Sequence, residues 1–172
     1  MRLRPATPDD WPAIREIAYR TWPVTFGDIL TPEQIDYMLA RMYTEEALRD
    51  QTERQGHRYL IGFAEGDTPA LPEAAGAVGY VSYQLDYLPH VVKIHKLYVL
   101  PEAHGRGLGR EFVSAVAKLG GEARQRRLRL DVNRHNPAVG FYERMGFTKV
   151  DEVVTEIGRG YVMDDFVYEI GL

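Results

Sequence analysis

Residues 94–109 read IHKLYVLPEAHGRGLG, and this stretch contains the transition around which the rest of the chain is arranged. Its first part, Ile94 to Leu100, is apolar and rich in β-branched residues, which predicts a buried strand. Pro101 ends this run, and glycines follow at 105, 107 and 109, where a helical pattern begins. Glycines let the backbone approach a ligand closely, and free N–H groups at a helix N-terminus attract negative charge. The stretch therefore predicts a strand, a glycine turn and a helix that form an anion site.

The composition is that of an ordinary globular protein without cysteine. The chain has 172 residues and a formal net charge of −4, which argues against nucleic-acid binding. The lack of cysteine excludes disulfides and a cysteine nucleophile, and the five histidines show no metal-binding spacing, so no metal is expected. No apolar run reaches the ~20 residues of a membrane span, and Met1–Pro5 is not followed by the apolar core of a secretory signal. We therefore expect a cytoplasmic protein that contacts neither nucleic acid nor a membrane.

The whole chain predicts strands and helices in the order βααβββαβαββ. Two helix starts stand early, at Thr7-Pro8 and at Thr31-Pro32, and the second helical region is expected to extend to about Arg54. A Gly/Pro-rich turn from Glu65 to Gly76 joins the next two strands. A strand–helix–strand unit in the middle implies a parallel or mixed region, and the flanking hairpins imply antiparallel strands. The predicted fold is a mixed α/β sheet covered by helices.

The glycine turn by itself has several interpretations. A Rossmann dinucleotide site needs G-x-G-x-x-G, whereas the spacing here is Gly105-x-Gly107-x-Gly109. A P-loop needs a Lys-Ser or Lys-Thr pair after its last glycine, and this pair is missing. Two interpretations stay open on these residues alone: a cradle for the pyrophosphate of coenzyme A, and a plain tight turn.

A second motif lies downstream, where residues 130–147 read LDVNRHNPAVGFYERMGF. A strand precedes Asn136-Pro137, which is predicted to start a helix that Gly146 ends. A strand followed by a turn of the [RQ]-x-x-G-x-[GA] type, a helix, a further strand and then Phe-Tyr-x-x-x-Gly-Phe resembles the GNAT acetyltransferase superfamily. The core of the resemblance covers roughly residues 75–170. The stretch from Thr21 to Tyr43 is also similar to small bacterial GNAT enzymes, including spermidine/polyamine N-acetyltransferases.

The resemblance implies an α/β (α+β) fold of the GNAT type and an acetyl-CoA site. Such a fold has a mostly antiparallel sheet, here of about seven strands, with a central parallel pair that splays apart and about four flanking helices. Because splaying leaves backbone groups unpaired, the strand before the turn can bind pantetheine and the acetyl carbonyl through its backbone. The corresponding residues are Leu97, Tyr98 and Val99. The residues that would hold the pyrophosphate are Gly105, Arg106, Gly107, Leu108, Gly109 and Arg110.

Three further residues can be compared with their counterparts in the family. His104 departs from the family pattern, which usually has Arg or Gln at that position. Asn136 is the counterpart of the asparagine that contacts the pantetheine arm. Its alternative role is a helix N-cap, and one residue can fill both roles at the same time. Tyr142 is the counterpart of the tyrosine that protonates the departing thiolate, and a core aromatic residue is the alternative.

The acceptor side of the site is predicted from position. An alkylammonium must lose a proton before it attacks, and His95, on the strand before the turn, is the predicted base. An ordinary strand residue is the alternative for His95, and the other candidate bases are Asp131, Asp164 and Asp165. The acceptor pocket is expected between the N-terminal helices and the late strands, with candidate lining residues Trp22, Phe26, Tyr37 and Asp165. Acidic groups there would suit a cationic amine.

The expected protein is a single acetyltransferase domain over residues 1–172. Residues 1–56 would supply the N-terminal strand and the acceptor-side helices, and residues 75–170 the acetyl-CoA-binding core. The predicted reaction is acetyl transfer from acetyl-CoA to a primary amine by direct attack in a ternary complex. The amine would belong to a small molecule, polyamine-like or amino-acid-like, or to a peptide. A non-catalytic acyl-CoA-binding or sensing module on the same fold is the alternative, and a homodimer stays open because family members often dimerise.

Overall fold

The computed structural model describes residues 1–65 and 76–172, so most of the predicted turn from Glu65 to Gly76 lies outside the described residues. The strands are β1 (Arg2–Pro5), β2 (Arg58–Phe63), β3 (Ala77–Leu88), β4 (Val91–Val99), β5 (Arg127–Asn133), β6 (Thr148–Gly158) and β7 (Tyr161–Gly171). The α-helices are α1 (Trp11–Phe26), α2 (Pro32–Met42), α3 (Glu45–Glu53), α4 (Leu108–Glu122) and α5 (Ala138–Arg144). Short 3₁₀ turns at Pro8–Asp10 and Pro101–Ala103 precede α1 and α4.

The described strands form one seven-stranded sheet in the order β1-β2-β3-β4-β5-β7-β6. The pair β4–β5 is parallel, and the other neighbouring pairs are antiparallel. A parallel pair cannot be joined by a hairpin, and α4 supplies the crossover that it requires. The predicted mixed, mostly antiparallel sheet with a central parallel pair is therefore confirmed.

The second predicted helical region consists of two helices. α2 ends at Met42, and a new helix begins at Glu45 because the Oγ of Thr44 accepts a hydrogen bond from the N–H of Ala47 at 3.1 Å. Thr31 caps α2 as predicted, through the same kind of bond to Gln34 at 3.2 Å. The described chain thus has five α-helices where the sequence pattern indicates about four.

The parallel ladder between β4 and β5 is short. It joins residues 91–94 of β4 to residues 127–130 of β5, although β4 continues to Val99 and β5 to Asn133. The two strands therefore separate at their carboxyl ends. Among the described residues, the backbone groups of β4 beyond residue 94 that face this gap have no neighbouring strand to pair with.

A β-bulge lies on β4 where the strands separate. Ser82 of β3 pairs with Lys96, and the next residue, Tyr83, pairs with Ile94, so His95 is the extra residue. Side chains normally alternate between the two faces of a strand, and a bulge interrupts this alternation. The side chains of His95 and Lys96 can therefore face the same side of the sheet.

Helices cover both faces of the sheet. On one face α1, α2 and α3 bury a cluster that includes Trp22, Tyr43 and Tyr80. On the other face α4 and α5 bury a cluster that includes Phe112 and Tyr142. Burial of these apolar side chains is the main favourable term in folding. In residues 1–65 and 76–172, no helix has the length and apolar character that spanning a membrane demands.

Candidate active site

The glycine turn has a backbone conformation that suits glycine. Gly105 and Gly107 have φ angles of 75° and 78°, in the left-handed region that other residues rarely adopt. A Cβ atom at either position would meet nothing within 4 Å. Both glycines are exposed, so the space beside the turn is open to a ligand.

α4 begins directly after this turn and presents its first N–H groups there. The first bond of its ladder runs from the N–H of Glu111 to the carbonyl of Gly107 at 3.1 Å. The N–H groups of residues 108–110 therefore precede the ladder, and the helix dipole adds positive potential at the same point. The side chains of Arg106 and Arg110 are exposed at this turn. The structure thus brings together the residues predicted to hold a pyrophosphate.

His104 connects the turn to the end of β4. Its Nε2 lies 2.8 Å from the carbonyl oxygen of Val99, so the ring N–H donates to the last residue of the strand. This bond fixes the turn against β4 at a position where the family pattern has a different residue.

The carboxyl end of β4 lies between the two faces of the sheet. Leu97 packs toward α4 and α5, whereas Tyr98 packs toward α1, with its ring centroid 6.0 Å from that of Trp22. Leu97, Tyr98 and Val99 are half-buried and belong to the part of β4 that has separated from β5. The donor contacts of their backbones stay a prediction.

Of the two predicted residues of the second motif, Asn136 lies just before α5 and Tyr142 lies within it. The Oδ1 of Asn136 accepts a hydrogen bond from the N–H of Ala138 at 2.8 Å, and the side-chain NH₂ takes no part in this bond. Tyr142 is buried and packs edge-on against Phe141 and Phe147. Burial raises the pKa of the Tyr142 hydroxyl, so the phenol is protonated at neutral pH.

The last glycine of the turn brings the two motifs into contact. A Cβ atom on Gly109 would lie only 3.3 Å from Cζ of Phe141, which is closer than ordinary van der Waals contact. The missing side chain therefore lets α5 pack against the first turn of α4.

A pocket lies on the face of the sheet that α1 and α2 cover, between these helices and β7. Most of its wall is aromatic or aliphatic and is formed by Trp22, Phe26, Leu30, Met38, Met42, Tyr98, Val162 and Met163. Its polar lining residues are Gln34, His95, Lys96 and Asn133. Of the predicted lining residues, Trp22 and Phe26 are part of the wall, but Tyr37 and Asp165 are not. The hydroxyl of Tyr37 instead donates to the carbonyl of Ile157 at 2.8 Å.

His95 faces this pocket, but its surroundings make it a weak base. Its ring stacks on His57 with centroids 3.9 Å apart, and its Nε2 lies 3.0 Å from Oε1 of Gln84. Burial is the main cause that lowers the pKa of His95 to about 2, and His57 and two neighbouring lysines contribute. An imidazole with this pKa is neutral through the physiological range and accepts a proton poorly.

Lys96 is a pocket residue that the sequence pattern does not single out. Its Nζ donates to two buried side chains, the Oε1 of Gln51 and, at 3.0 Å, the hydroxyl of Tyr59. It also lies 5.1 Å from the ring centroid of Tyr43. Burial lowers the pKa of Lys96 to about 7, so a large fraction of the neutral amine exists at neutral pH. Regular alternation would place His95 and Lys96 on opposite faces, and the bulge, which has no local signal in the sequence, brings them together.

The three aspartates considered as bases lie outside the pocket wall. Asp131 pairs with Lys93 at 2.5 Å, and Asp164 pairs with Arg134. Asp165 is buried, and its Oδ1 has no hydrogen-bond partner among the residues that the structure describes. Burial, with a smaller effect from the charge of Asp131, raises the pKa of Asp165 to about 6.

The open glycine turn follows the separated end of β4, and Tyr98 of the same strand end lines the pocket. The sequence model of the acetyltransferase (GNAT) family matches residues 11–147. The chain belongs to this family. Membership in the GNAT family confirms the predicted class of enzyme, an acetyl-CoA-dependent N-acetyltransferase.

Several GNAT relatives resemble the chain along most of its length. An uncharacterized N-acetyltransferase in the pepI 3′ region of Lactobacillus delbrueckii subsp. lactis is 25% identical over 156 residues, which are 87% of this chain and 85% of that protein. The fold is similar to that of PaiA N-acetyltransferase from Thermoplasma acidophilum in complex with coenzyme A, with a TM-score of 0.79, 21% identity and coverage of 99% of this chain and 98% of that chain. NAA60 of Arabidopsis thaliana, solved in complex with a bisubstrate analogue, has a TM-score of 0.71 and 18% identity over 99% of this chain and 98% of that chain. These structures confirm the GNAT fold.

Proposed function

We propose that this GNAT protein transfers the acetyl group of acetyl-CoA to a primary amine by direct attack in a ternary complex. The observation that carries the proposal is the position of an open glycine turn and a pocket at the same separated strand end. A donor along the cradle and an acceptor in the pocket would meet at residues 97–99. The acceptor classes to be tested are small polyamine-like or amino-acid-like amines and peptides.

The residues around the glycine turn fit a pyrophosphate-containing donor. The N–H groups from Gly105 to Arg110 would hold the pyrophosphate, because the turn is open and no Cβ blocks its two exposed glycines. The side chains of Arg106 and Arg110 would add charge-assisted hydrogen bonds. The backbone of residues 97–99 and the amide of Asn136 would contact the pantetheine arm and the acetyl carbonyl.

The reaction forms one bond and breaks another. The lone pair of the neutral amine attacks the thioester carbonyl, the C–S bond breaks, and the sulfur leaves as a thiolate that takes up a proton. We assign Tyr142 as the acid, and the protonated state of its buried phenol supports this role. Backbone donors at the end of β4 would stabilise the tetrahedral oxyanion.

The proton that the amine gives up needs an acceptor that faces the pocket. His95 is the candidate from the sequence, but a pKa of about 2 makes it an inefficient proton acceptor. Lys96 lines the same pocket, and its pKa of about 7 lies near the working pH at which a general base is most efficient. We therefore propose Lys96 as the proton acceptor, with His95 as the alternative.

Acceptor-dependent release of free thiol from acetyl-CoA tests the proposed function. Purified protein is incubated with acetyl-CoA and a panel of polyamines, amino acids, aminoglycosides and peptides, and the products are identified by mass spectrometry. We expect at least one acceptor to gain one acetyl group for each free thiol that is released. Binding of acetyl-CoA without turnover of any acceptor would instead support an acyl-CoA-binding or sensing module.

A further inference from the structure

The wall of the acceptor pocket is mainly apolar. Eight of its twelve lining residues are aromatic or aliphatic. The ring of Trp22 lies 4.8 Å from that of Phe26 and 6.0 Å from that of Tyr98, measured between centroids, so the three rings form one aromatic surface. An apolar or aromatic group that covers this surface removes it from water, which is favourable for binding.

The charged groups at the pocket oppose a polycation. No carboxylate belongs to the wall in the part of the chain that the structure describes, and Asp165, which was expected there, lies outside it. The lining cation is Lys96, and its charged form repels a second positive charge. A polyamine in this pocket would leave ammonium groups without a counter-charge in the wall, which is costly in a partly desolvated site.

The polar lining suits a single amino group. Gln34 and Asn133 carry neutral amides, which can accept a hydrogen bond from one amine but do not neutralise a second charge. Lys96 lies in the same wall, where its neutral form can take the proton of one ammonium group.

We infer that the acceptor is a monoamine whose substituent is aromatic or a large aliphatic group, an inference that rests on the proposed function. The substituent would pack against Trp22, Phe26 and Tyr98, and the amino group would lie toward the separated end of β4. The amine nitrogen forms the bond to the acetyl carbon as the C–S bond breaks. The amine proton passes to Lys96, and the departing thiolate takes a proton from Tyr142. Arylalkylamines and amides of apolar amino acids belong to this class.

Matched acceptors test the inference. 2-Phenylethylamine and leucinamide represent the inferred class, and spermidine and lysinamide carry additional positive charge. We expect kcat/KM for the first pair to exceed that for the second by at least ~10-fold, because the additional charge has no partner in the pocket. Equal or higher kcat/KM for spermidine or lysinamide would overturn the inference. Turnover of no amine at all, with acetyl-CoA still bound, would overturn the proposed function itself and is a different result.

A carboxylate placed in the wall should change the preference. Leu30 is half-buried and lines the pocket, so Leu30→Glu adds a negative charge there. We expect KM for 2-phenylethylamine to rise by ~10-fold and kcat/KM for spermidine to increase, with unchanged affinity for acetyl-CoA. Val24→Glu is the control, because Val24 is 66% exposed on α1 and is not part of the wall. The inference would be contradicted if these two kinetic constants changed equally in both variants, or if neither constant changed in Leu30→Glu.

Discussion

The Nζ of Lys96 lies 3.0 Å from the hydroxyl of Tyr59, and this bond is the inner end of a series of hydrogen bonds. Ser82 bonds to the Tyr59 hydroxyl, and the Nδ1 of His57 lies 3.1 Å from the Oγ of Ser82. Burial, with smaller effects from two lysines, lowers the pKa of the half-buried His57 to about 4, so its ring is neutral at physiological pH. The series therefore connects Lys96, which lines the pocket, to a less buried imidazole.

The first prediction concerns the pH dependence of the reaction. Burial lowers the pKa of Lys96 to about 7, and only the neutral amine accepts a proton, so kcat/KM should rise with pH through this value. Lys96→Met should lower kcat/KM at neutral pH by ~100-fold and remove this rise, which is the limb of the pH profile near pH 7. In this variant kcat/KM should still rise as the acceptor amine itself loses its proton, because the ordinary pKa of such an amine is about 10.4. Initial rates from about pH 5 to about pH 9 measure both effects.

His95→Ala is the matched comparison, because His95 precedes Lys96 and lines the same pocket. A pKa of about 2 places the titration of His95 far below neutrality, so we expect this variant to keep the limb near pH 7. Loss of the limb in His95→Ala together with its retention in Lys96→Met would identify His95 as the base. Wild-type affinity for acetyl-CoA in both variants shows that they are folded.

The second prediction concerns the proton that the thiolate takes up. Tyr142→Phe removes one hydroxyl from a buried ring and should lower kcat by about 10- to 1000-fold, with little change in the affinity for coenzyme A. Thiol-release kinetics give kcat, and calorimetry gives the affinity. An unchanged kcat would remove Tyr142 from the acid role.

Tyr168→Phe is the control for the loss of a tyrosine hydroxyl. Tyr168 is buried in the same cluster as Tyr142, but its hydroxyl donates to the Oε1 of Glu143 at 2.8 Å. We expect this variant to keep wild-type kcat, even if the lost hydrogen bond lowers the free energy of unfolding by about 1 kcal/mol.

Much of the fold is predictable because its signals are local. Thr31 caps α2 through a residue three positions away, and Gly146 ends α5 with a φ of 93°. Residues 127–133 alternate between buried and more exposed positions, as their sequence indicates for a strand. The glycine turn belongs to the same group, since its conformation depends on Gly105 and Gly107 themselves.

The break between α2 and α3 has a local signal, the capping residue Thr44, but the apolar pattern of the stretch around it suits a continuous helix. The other features that the sequence does not reveal depend on distant contacts. The bulge at His95 is set by the pairing of β4 with β3, so no neighbouring residue marks it. This is why the sequence singles out His95 and misses Lys96. The pocket wall likewise combines residues from helices and strands that are far apart in the chain.

The third prediction tests the glycine cradle. Gly107→Val should abolish measurable binding of coenzyme A by calorimetry, because the new side chain enters the open space beside the first N–H groups of α4. The substitution also strains the backbone by about 1–3 kcal/mol, because the φ of Gly107 is 78°. Gly160→Val separates the two effects, since Gly160 has the same φ of 78° and equally open surroundings in the turn between β6 and β7. Both variants should lose similar stability in thermal unfolding, and only Gly107→Val should lose binding. Wild-type affinity in Gly107→Val would refute the assignment of this turn to the donor.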